Sequence, residues 1–72
     1  MSIVFFPPKS IDDINDMNDD ELVEGYLAGL YGGNEPRDSR SKWTGWRNGM
    51  VDSGRRKIDD AQRQVARQFV SR

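Results

Sequence analysis

Apolar side chains in the first half of the chain recur at the three- and four-residue spacing of an α-helix. The positions that follow this spacing are Leu22, Val23, Tyr26, Leu27, Leu30 and Tyr31. Asn18 precedes them as a good N-cap with Glu21 three residues later, and the glycine pair that begins at Gly32 ends the pattern. The spacing predicts a helix over residues 19–31, inside an acidic helical region at 10–31 that opens with a short turn. A loop at 32–38 follows.

The same spacing returns in the second half of the chain. Its apolar or small positions are Trp43, Trp46, Met50, Gly54, Ile58, Ala61, Val65 and Phe69. Ser39 or Ser41 can cap the start of a second helix at 39–53, and a basic C-terminal helix at 54–72 continues the register. The unbroken register fits either one long helix or two helices that bend at residues 52–54. The weak helix propensity of those three residues favours the bend.

Residues 1–9 have the composition of an extended arm. β-branched and aromatic residues lead into Pro7 and Pro8, which restrict the backbone to extended or polyproline-like conformations. We expect the arm to lay Ile3, Phe5 and Phe6 over the hydrophobic face of a helix. The alternative is an edge strand or a docking peptide for another protein.

One short pattern occurs twice, 20 residues apart. Gly25 and Gly29 flank an aromatic residue and precede an aliphatic one, and Gly45 and Gly49 repeat that arrangement. A glycine inside a helix costs about 0.5–1 kcal/mol relative to alanine, so four of them indicate that two helix backbones approach closely. The residues of the predicted helix seam are Gly25, Tyr26, Gly29, Gly45, Trp46 and Gly49.

These elements predict a small all-α fold. The two glycine-bearing helices form a helical hairpin, and the extended N-terminal arm covers it. The additional C-terminal amphipathic helix either caps the hairpin or mediates a homodimer through Ile58, Val65 and Phe69. A chain of 72 residues makes a single small domain with a marginal core, so a partner or self-association is expected.

The composition narrows the chemistry of the protein. The sequence contains no cysteine and no histidine, which excludes disulfides, thiol catalysis, imidazole bases, and the zinc and haem sites built on these ligands. The acidic run at residues 12–24 has no activating partner for acid–base catalysis and lacks the central glycine of a calcium loop. We therefore expect no enzyme activity, no cofactor and no metal.

Hydropathy gives an expectation about location. The longest apolar run, at residues 3–6, is far too short to span a membrane. No basic segment precedes that run, as one would in a secretory signal. We expect a cytoplasmic protein with no membrane partner.

Charge divides unevenly along the chain. Residues 1–35 carry eight acids against one base, for a net charge of −7, and residues 36–72 carry ten bases against four acids, for +6. If the two halves pack together, their charges cancel at short range. If the halves stay apart, each offers its own surface to a partner.

Residues 25–32 and 41–50 together resemble the small ribosome modulation factor family of bacteria. Its members carry a helix with a glycine–tyrosine–x–alanine–glycine core, a variable linker, and a second helix with a tryptophan-containing core. With the linker included, the likeness spans about 26 of the 72 residues, from residue 25 to residue 50. It implies a non-enzymatic protein that binds the ribosome, near the messenger exit region of the small subunit, and regulates translation by promoting inactive ribosome pairs. Some related proteins are linked to drug modification, but this chain has no phosphate-binding loop to support that activity.

The second half of the chain carries the residues suited to RNA. Arg40, Lys42 and Arg47 surround Trp43 in the sequence, and such a set binds phosphates through its cations while the indole stacks on unpaired bases. Trp43 and Trp46 are alternatively core residues, since the chain has few other large apolar side chains. The family's ribosome-binding members are strongly basic at the start, whereas this chain is acidic there, and acidic surface opposes phosphate binding.

A different class of function fits the acidic helix. Asp19, Asp20 and Glu24 give it an anionic surface that suits a basic host protein, as in a small phage- or mobile-element-type inhibitor or adaptor. The structural alternative is a solvated helix start, where acids interact favourably with the helix dipole.

Overall fold

The computed structural model describes residues 5–70 and the side chains of residues 5–68. It contains α1 (Ile11–Asn15), α2 (Asp19–Leu30), α3 (Arg40–Asp52) and α4 (Asp60–Val70), and no strand occurs within the described residues. The all-α fold class is confirmed.

Side-chain caps place the starts of the first three helices where the sequence indicates them. Ser10 Oγ accepts a hydrogen bond from the Asp13 amide at the start of α1, and Asn18 Oδ1 accepts one from the Glu21 amide, at 3.0 Å, at the start of α2. Ser39, the first of the two predicted candidates, caps α3. Each cap satisfies an amide that the first turn of a helix leaves without a partner.

α2 and α3 end in the same way. A glycine with positive φ follows each helix, with 75° at Gly32 and 80° at Gly54. The amide of the next residue then donates to a carbonyl oxygen in the last turn, that of Ala28 at 2.7 Å and that of Met50 at 2.9 Å. This Schellman arrangement favours glycine, because other residues are strained at such φ values. α3 therefore stops at Asp52, and the alternative of one long helix is wrong.

Residues 53–59 connect α3 to α4 without helical structure. The periodic positions Gly54 and Ile58 lie in this connection, so the basic helix begins at Asp60 and not at residue 54. Its start is a capping box: Asp59 Oδ1 accepts from the Gln62 amide at 2.9 Å, and Gln62 Oε1 accepts from the Asp59 amide at 3.1 Å.

The centre of the fold is the direct packing of α2 against α3. Gly25 and Gly29 lie against the backbone of α3, and Gly45 and Gly49 lie against the backbone of α2. A methyl group on any of the four would overlap a carbonyl group of the facing helix. The facing carbonyl groups are those of Lys42, Trp46, Leu22 and Tyr26, respectively. Only glycine permits this separation of the two backbones.

The contacts between α2 and α3 repeat with the period of the sequence pattern. Gly25 of α2 faces Lys42 of α3, and Gly45 of α3 faces Leu22 of α2. The two glycines are 20 positions apart in the sequence, and so are Leu22 and Lys42. Exchanging the two helices therefore maps one contact onto the other, as around a two-fold axis. The duplicated glycine pattern builds both halves of a single helix contact.

α2 and α3 run in the same direction. The Asn18 amide donates to Ser41 Oγ at 3.1 Å where the two helices start, and Arg55 Nη1 donates to the Leu30 carbonyl oxygen at 2.8 Å where they end. A short turn joins antiparallel helices. The pair that the sequence predicts as a hairpin is thus a parallel pair, and the chain between its helices must return to the starting end.

Residues 31–39 make that return along the side of α3. Trp46 Nε1 donates to the carbonyl oxygen of Gly33 at 2.8 Å, and Trp43 Nε1 donates to Glu35 Oε1 at 2.9 Å. The two indoles therefore hold the returning loop. Trp46 is a core residue, whereas Trp43 is half-buried.

α1 and α4 are tied together by one side chain. Gln68 Oε1 accepts a hydrogen bond from the Ile11 amide at 2.9 Å, and Gln68 Nε2 donates to the Lys9 carbonyl oxygen at 3.2 Å. Ile11 of α1 and Val65 of α4 are both buried and, with Trp46, form the hydrophobic core of the described residues.

The N-terminal arm covers less of the fold than predicted. Phe5 packs on Trp43 with ring centroids 5.7 Å apart. Phe6 is 78% exposed and covers no helix, because its side chain faces solvent while its carbonyl oxygen accepts a hydrogen bond from Arg40 Nε at 2.9 Å. Ile3 lies outside the described residues.

Candidate protein-binding face

Three apolar side chains on and just after α2 face solvent in one row. Val23, Leu27 and Tyr31 follow one another at intervals of four residues and are 58%, 46% and 82% exposed. Residues four apart share one side of a helix, and we call this side the outer face of α2. The sequence pattern groups them with Leu22 and Tyr26 in one apolar stripe. The row is left outside because the glycines turn another side of the helix toward α3.

Carboxylates border the outer face. Asp19 and Asp20 are exposed, and neither side chain forms a hydrogen bond or ion pair with the described residues. Glu24 is also exposed, with its carboxylate 3.8 Å from Lys42 Nζ. The three residues predicted for binding a basic protein therefore lie together at the surface, next to the apolar row.

An apolar groove opens beside the outer face. Its first part, of about 320 Å³, is lined by Ile14, Leu22, Val23, Tyr26, Thr44, Gly45 and Asn48. A second part, of about 230 Å³, lies toward α4, with Val51 and Ile58 among its lining residues. Ile14 and Asn48 line both parts, so the two parts adjoin each other beside α3.

A short hydrogen bond joins α2 to the end of α3 beside the groove. The Tyr26 hydroxyl donates to Asp52 Oδ2 at 2.5 Å. This hydrogen bond raises the pKa of Tyr26 above its ordinary value, and desolvation and the negative charge of Asp52 act in the same direction. The contact links α2 to the last residue of α3 through side chains.

Arg47 lies in the interior of the protein. It is 3% exposed, its guanidinium forms an ion pair with Asp59, and it lies 4.7 Å from the centre of the Trp43 ring. Burial lowers the pKa of Arg47, and the positive charge of Arg56 lowers it further. This placement corrects the assignment of Arg47 to an RNA-binding surface, because a buried and paired guanidinium does not reach a phosphate.

The other residues predicted for RNA binding lie near the start of α3 and already contact protein groups. Lys42 Nζ lies 3.5 Å from Asp38 and 3.8 Å from Glu24. Arg40 donates to a carbonyl group of the N-terminal arm, and Trp43 contacts Phe5 and the buried Arg47. The structure brings the predicted set together, but its charges are largely matched within the chain.

Asp59 is a structural residue whose role only partly follows from local sequence patterns. Its helical spacing suggests a pair with Arg63 one turn later, whereas its carboxylate pairs with Arg47 of the preceding helix. The spacing between Asp59 and Gln62 is the signal that predicts its capping role. No local pattern predicts its long-range partner.

The residues predicted for a dimer contact occupy different environments. Val65 is 7% exposed and packs within its own chain, which removes it from any dimer seam. Ile58 is 39% exposed and lines the groove. The side chain of Phe69 lies outside the described residues.

A scan against protein-family models found no match, and searches of curated proteins and of solved structures found none either. The resemblance to the ribosome modulation factor family therefore stays a prediction. Among residues 5–70, no group of acidic side chains has the arrangement of a metal site. No helix in that part of the chain combines the length and the apolar character needed to cross a bilayer.

Proposed function

We propose that this protein is a non-enzymatic adaptor or inhibitor that binds a basic partner protein through the outer face of α2. The observation that carries the proposal is the exposed row of Val23, Leu27 and Tyr31. A small domain with few core residues gains by burying such side chains, and here three of them lie in water side by side. Contiguous exposed apolar surface of this kind marks an interaction site.

Charge indicates the class of partner. Residues 12–24 contain seven acids and no base, and Asp19 and Asp20 have no partner among the described residues. Carboxylates around an apolar row attract a surface in which lysine and arginine surround apolar side chains, and they repel an acidic one. The partner is therefore expected to be basic at the contact.

Affinity capture from a nuclease-treated lysate tests the proposal. We expect the wild-type protein to retain a protein partner, and both Leu27→Ser/Tyr31→Ser and Asp19→Asn/Asp20→Asn to lose it. Asp60→Asn neutralises one exposed carboxylate on α4 and should retain the partner. Recovery of the same partner by both double variants at the wild-type level would overturn the proposal.

Ribosome or rRNA binding is a second proposal, which a different surface supports. Arg55, Arg56 and Lys57 are consecutive exposed bases in the connection between α3 and α4. They lie near the ends of α2 and α3, whereas Asp19 and Asp20 lie at the starts. Phosphate binding by such a cluster weakens steeply as salt rises, because it releases counterions.

Sedimentation with small ribosomal subunits at low and high salt tests this second proposal. We expect binding at low salt only, and its loss in Arg56→Glu/Lys57→Glu. Arg40→Glu/Lys42→Glu tests the surface that the sequence predicts. An absence of co-sedimentation at low salt would exclude ribosome binding, and this result is independent of the protein-capture experiment.

A further inference from the structure

The groove beside the outer face has the length and lining of a helix-binding site. Its floor runs along α3 from Thr44 to Asp52, which is about 12 Å at the rise of an α-helix, or roughly two turns. Leu22 and Val23 lie on one side, and Ile58 and Ala66 lie on the other. An amphipathic helix presents apolar side chains at three- and four-residue intervals over that distance.

The floor of the groove contains a polar atom without an internal partner. Thr44 is 2% exposed, and its Oγ1 forms no hydrogen bond. Buried hydroxyl groups in folded proteins nearly always have a partner. The hydroxyl of Thr44 is therefore a hydrogen-bonding group at the floor of the groove that the chain itself leaves unused.

Carboxylates flank the groove at both ends. Asp19 lies one turn before Val23 on the same side of α2, and Asp52 lines the far end near α4. Both residues are exposed. A helix with lysine or arginine on both sides of an apolar stretch matches this distribution.

We infer that the groove between α2 and α4 binds a basic amphipathic helix of the partner protein. The apolar side of that helix contacts Ile14, Leu22 and Val23, and its basic residues face Asp19 and Asp52. This inference rests on the proposed function and adds the binding site and the conformation of the bound segment.

A designed peptide tests the inference without knowledge of the natural partner. The probe is a fluorescein-labelled helical peptide of leucine and lysine with leucine at helical spacing. A scrambled peptide of the same composition keeps the charge and loses the apolar side, and a leucine–glutamate peptide keeps the pattern and reverses the charge. We expect the wild-type protein to bind the first peptide at least tenfold more tightly than either control, as measured by fluorescence anisotropy.

A matched pair of variants locates the binding site. Asn48 is exposed and lines both parts of the groove. Asn48→Phe fills the groove, and Asn48→Ala leaves it open while removing the same amide and its hydrogen bond to Gln62. We expect about tenfold weaker peptide binding by Asn48→Phe and near-wild-type binding by Asn48→Ala. Circular dichroism confirms that both variants fold.

Three outcomes would overturn the inference. The first is equal binding of the patterned and scrambled peptides. The second is equal binding by Asn48→Phe and Asn48→Ala. In either of these two cases, loss of the lysate partner by Leu27→Ser/Tyr31→Ser would leave the proposed function standing and would exclude only the groove. The third is a concentration-dependent dimer in sedimentation equilibrium that Asn48→Phe abolishes, since the occupant would then be a second copy of the chain.

Discussion

Asp59 contacts both α3 and α4. Its carboxylate caps α4 through the Gln62 amide and also pairs with the buried guanidinium of Arg47. An isolated buried charge is expensive, so Arg47 depends on this single carboxylate, which is itself 36% exposed. The hydroxyl of Tyr26 plays a comparable part at the other side of α3, where it binds Asp52.

Substitutions of Asp59 separate its two roles. Asp59→Asn keeps a capping oxygen but removes the charge that Arg47 faces, and we expect a loss of about 2–3 kcal/mol in the free energy of unfolding. Asp59→Ala also removes the cap and should cost about 1 kcal/mol more. Urea denaturation measures both. Wild-type stability of Asp59→Asn would show that the ion pair contributes nothing.

Titration of Tyr26 tests its hydrogen bond to Asp52. The pKa of Tyr26 is higher in the folded protein than the ordinary 10.0, so its contribution to stability is complete below that pH and is lost as the pH rises through the folded-state pKa. In a Tyr31→Phe background, phenolate absorbance reports Tyr26 alone. We expect Asp52→Asn to lower the pKa of Tyr26, and an unchanged pKa would contradict the hydrogen bond.

At the scale of the elements, the glycine seam determines how α2 and α3 pack. Their contact is made by backbone on both sides, and the same contact occurs twice because the pattern is duplicated. The two N-termini are also cross-linked: Ser39 Oγ donates to Glu21 Oε2 at 2.6 Å, and Ser41 Oγ accepts from the Asn18 amide. Glu21 thereby leaves the reciprocal half of its own capping box unformed and connects the helices.

Alanine substitutions distinguish close contact from backbone strain. A Cβ at Gly29 would lie 2.9 Å from the Met50 nitrogen, and the backbone there cannot move aside. We expect Gly29→Ala to lower the free energy of unfolding by at least about 2 kcal/mol. Gly54→Ala meets no atom within 4 Å but has a positive φ, so it should cost only about 1–2 kcal/mol. Thermal denaturation compares the two variants, and a Gly29→Ala protein that melts like the wild type would contradict the seam.

At the scale of the whole molecule, the parallel helix pair places the acidic start of α2 and the basic residues 55–57 far apart along the helices. The starts of α2 and α3 lie at one end, where Asp19, Asp20 and Glu21 interact favourably with the helix dipoles. The bases at residues 55–57 follow the ends of the same helices, and Arg55 binds the last turn of α2. The start of α2 is therefore acidic and the connection after α3 is basic, and the two proposed functions use these different segments.

We also expect the fold to be layered in stability. α2 and α3 share the extensive seam, whereas α1 and α4 are held by few contacts, including those of Gln68. We expect Val65→Ala to cost about 2 kcal/mol and to speed amide exchange in α1 and α4 before α2 and α3. Val23→Ala makes the same change at an exposed position and should have little effect on either measurement. Uniform loss of protection in Val65→Ala would contradict the layering.

Local signals in the sequence predicted much of this fold. Helical spacing, the caps at Asn18 and Ser39, and the stop at Gly32 involve residues within one or two turns of one another, so the sequence alone contains them. The duplicated glycines predicted a close helix contact for the same reason. The acidic residues of the candidate site were predicted because charge and exposure usually coincide.

Long-range packing decided the rest. Periodicity shows that α2 has an apolar stripe, but only the position of α3 determined that Leu22 is half-buried and Leu27 is exposed. The parallel direction of the pair depends on a return loop held by Trp43 and Trp46. Arg47 is buried because a carboxylate from a later connection reaches it. Such contacts join residues far apart in the chain, and no local pattern specifies them.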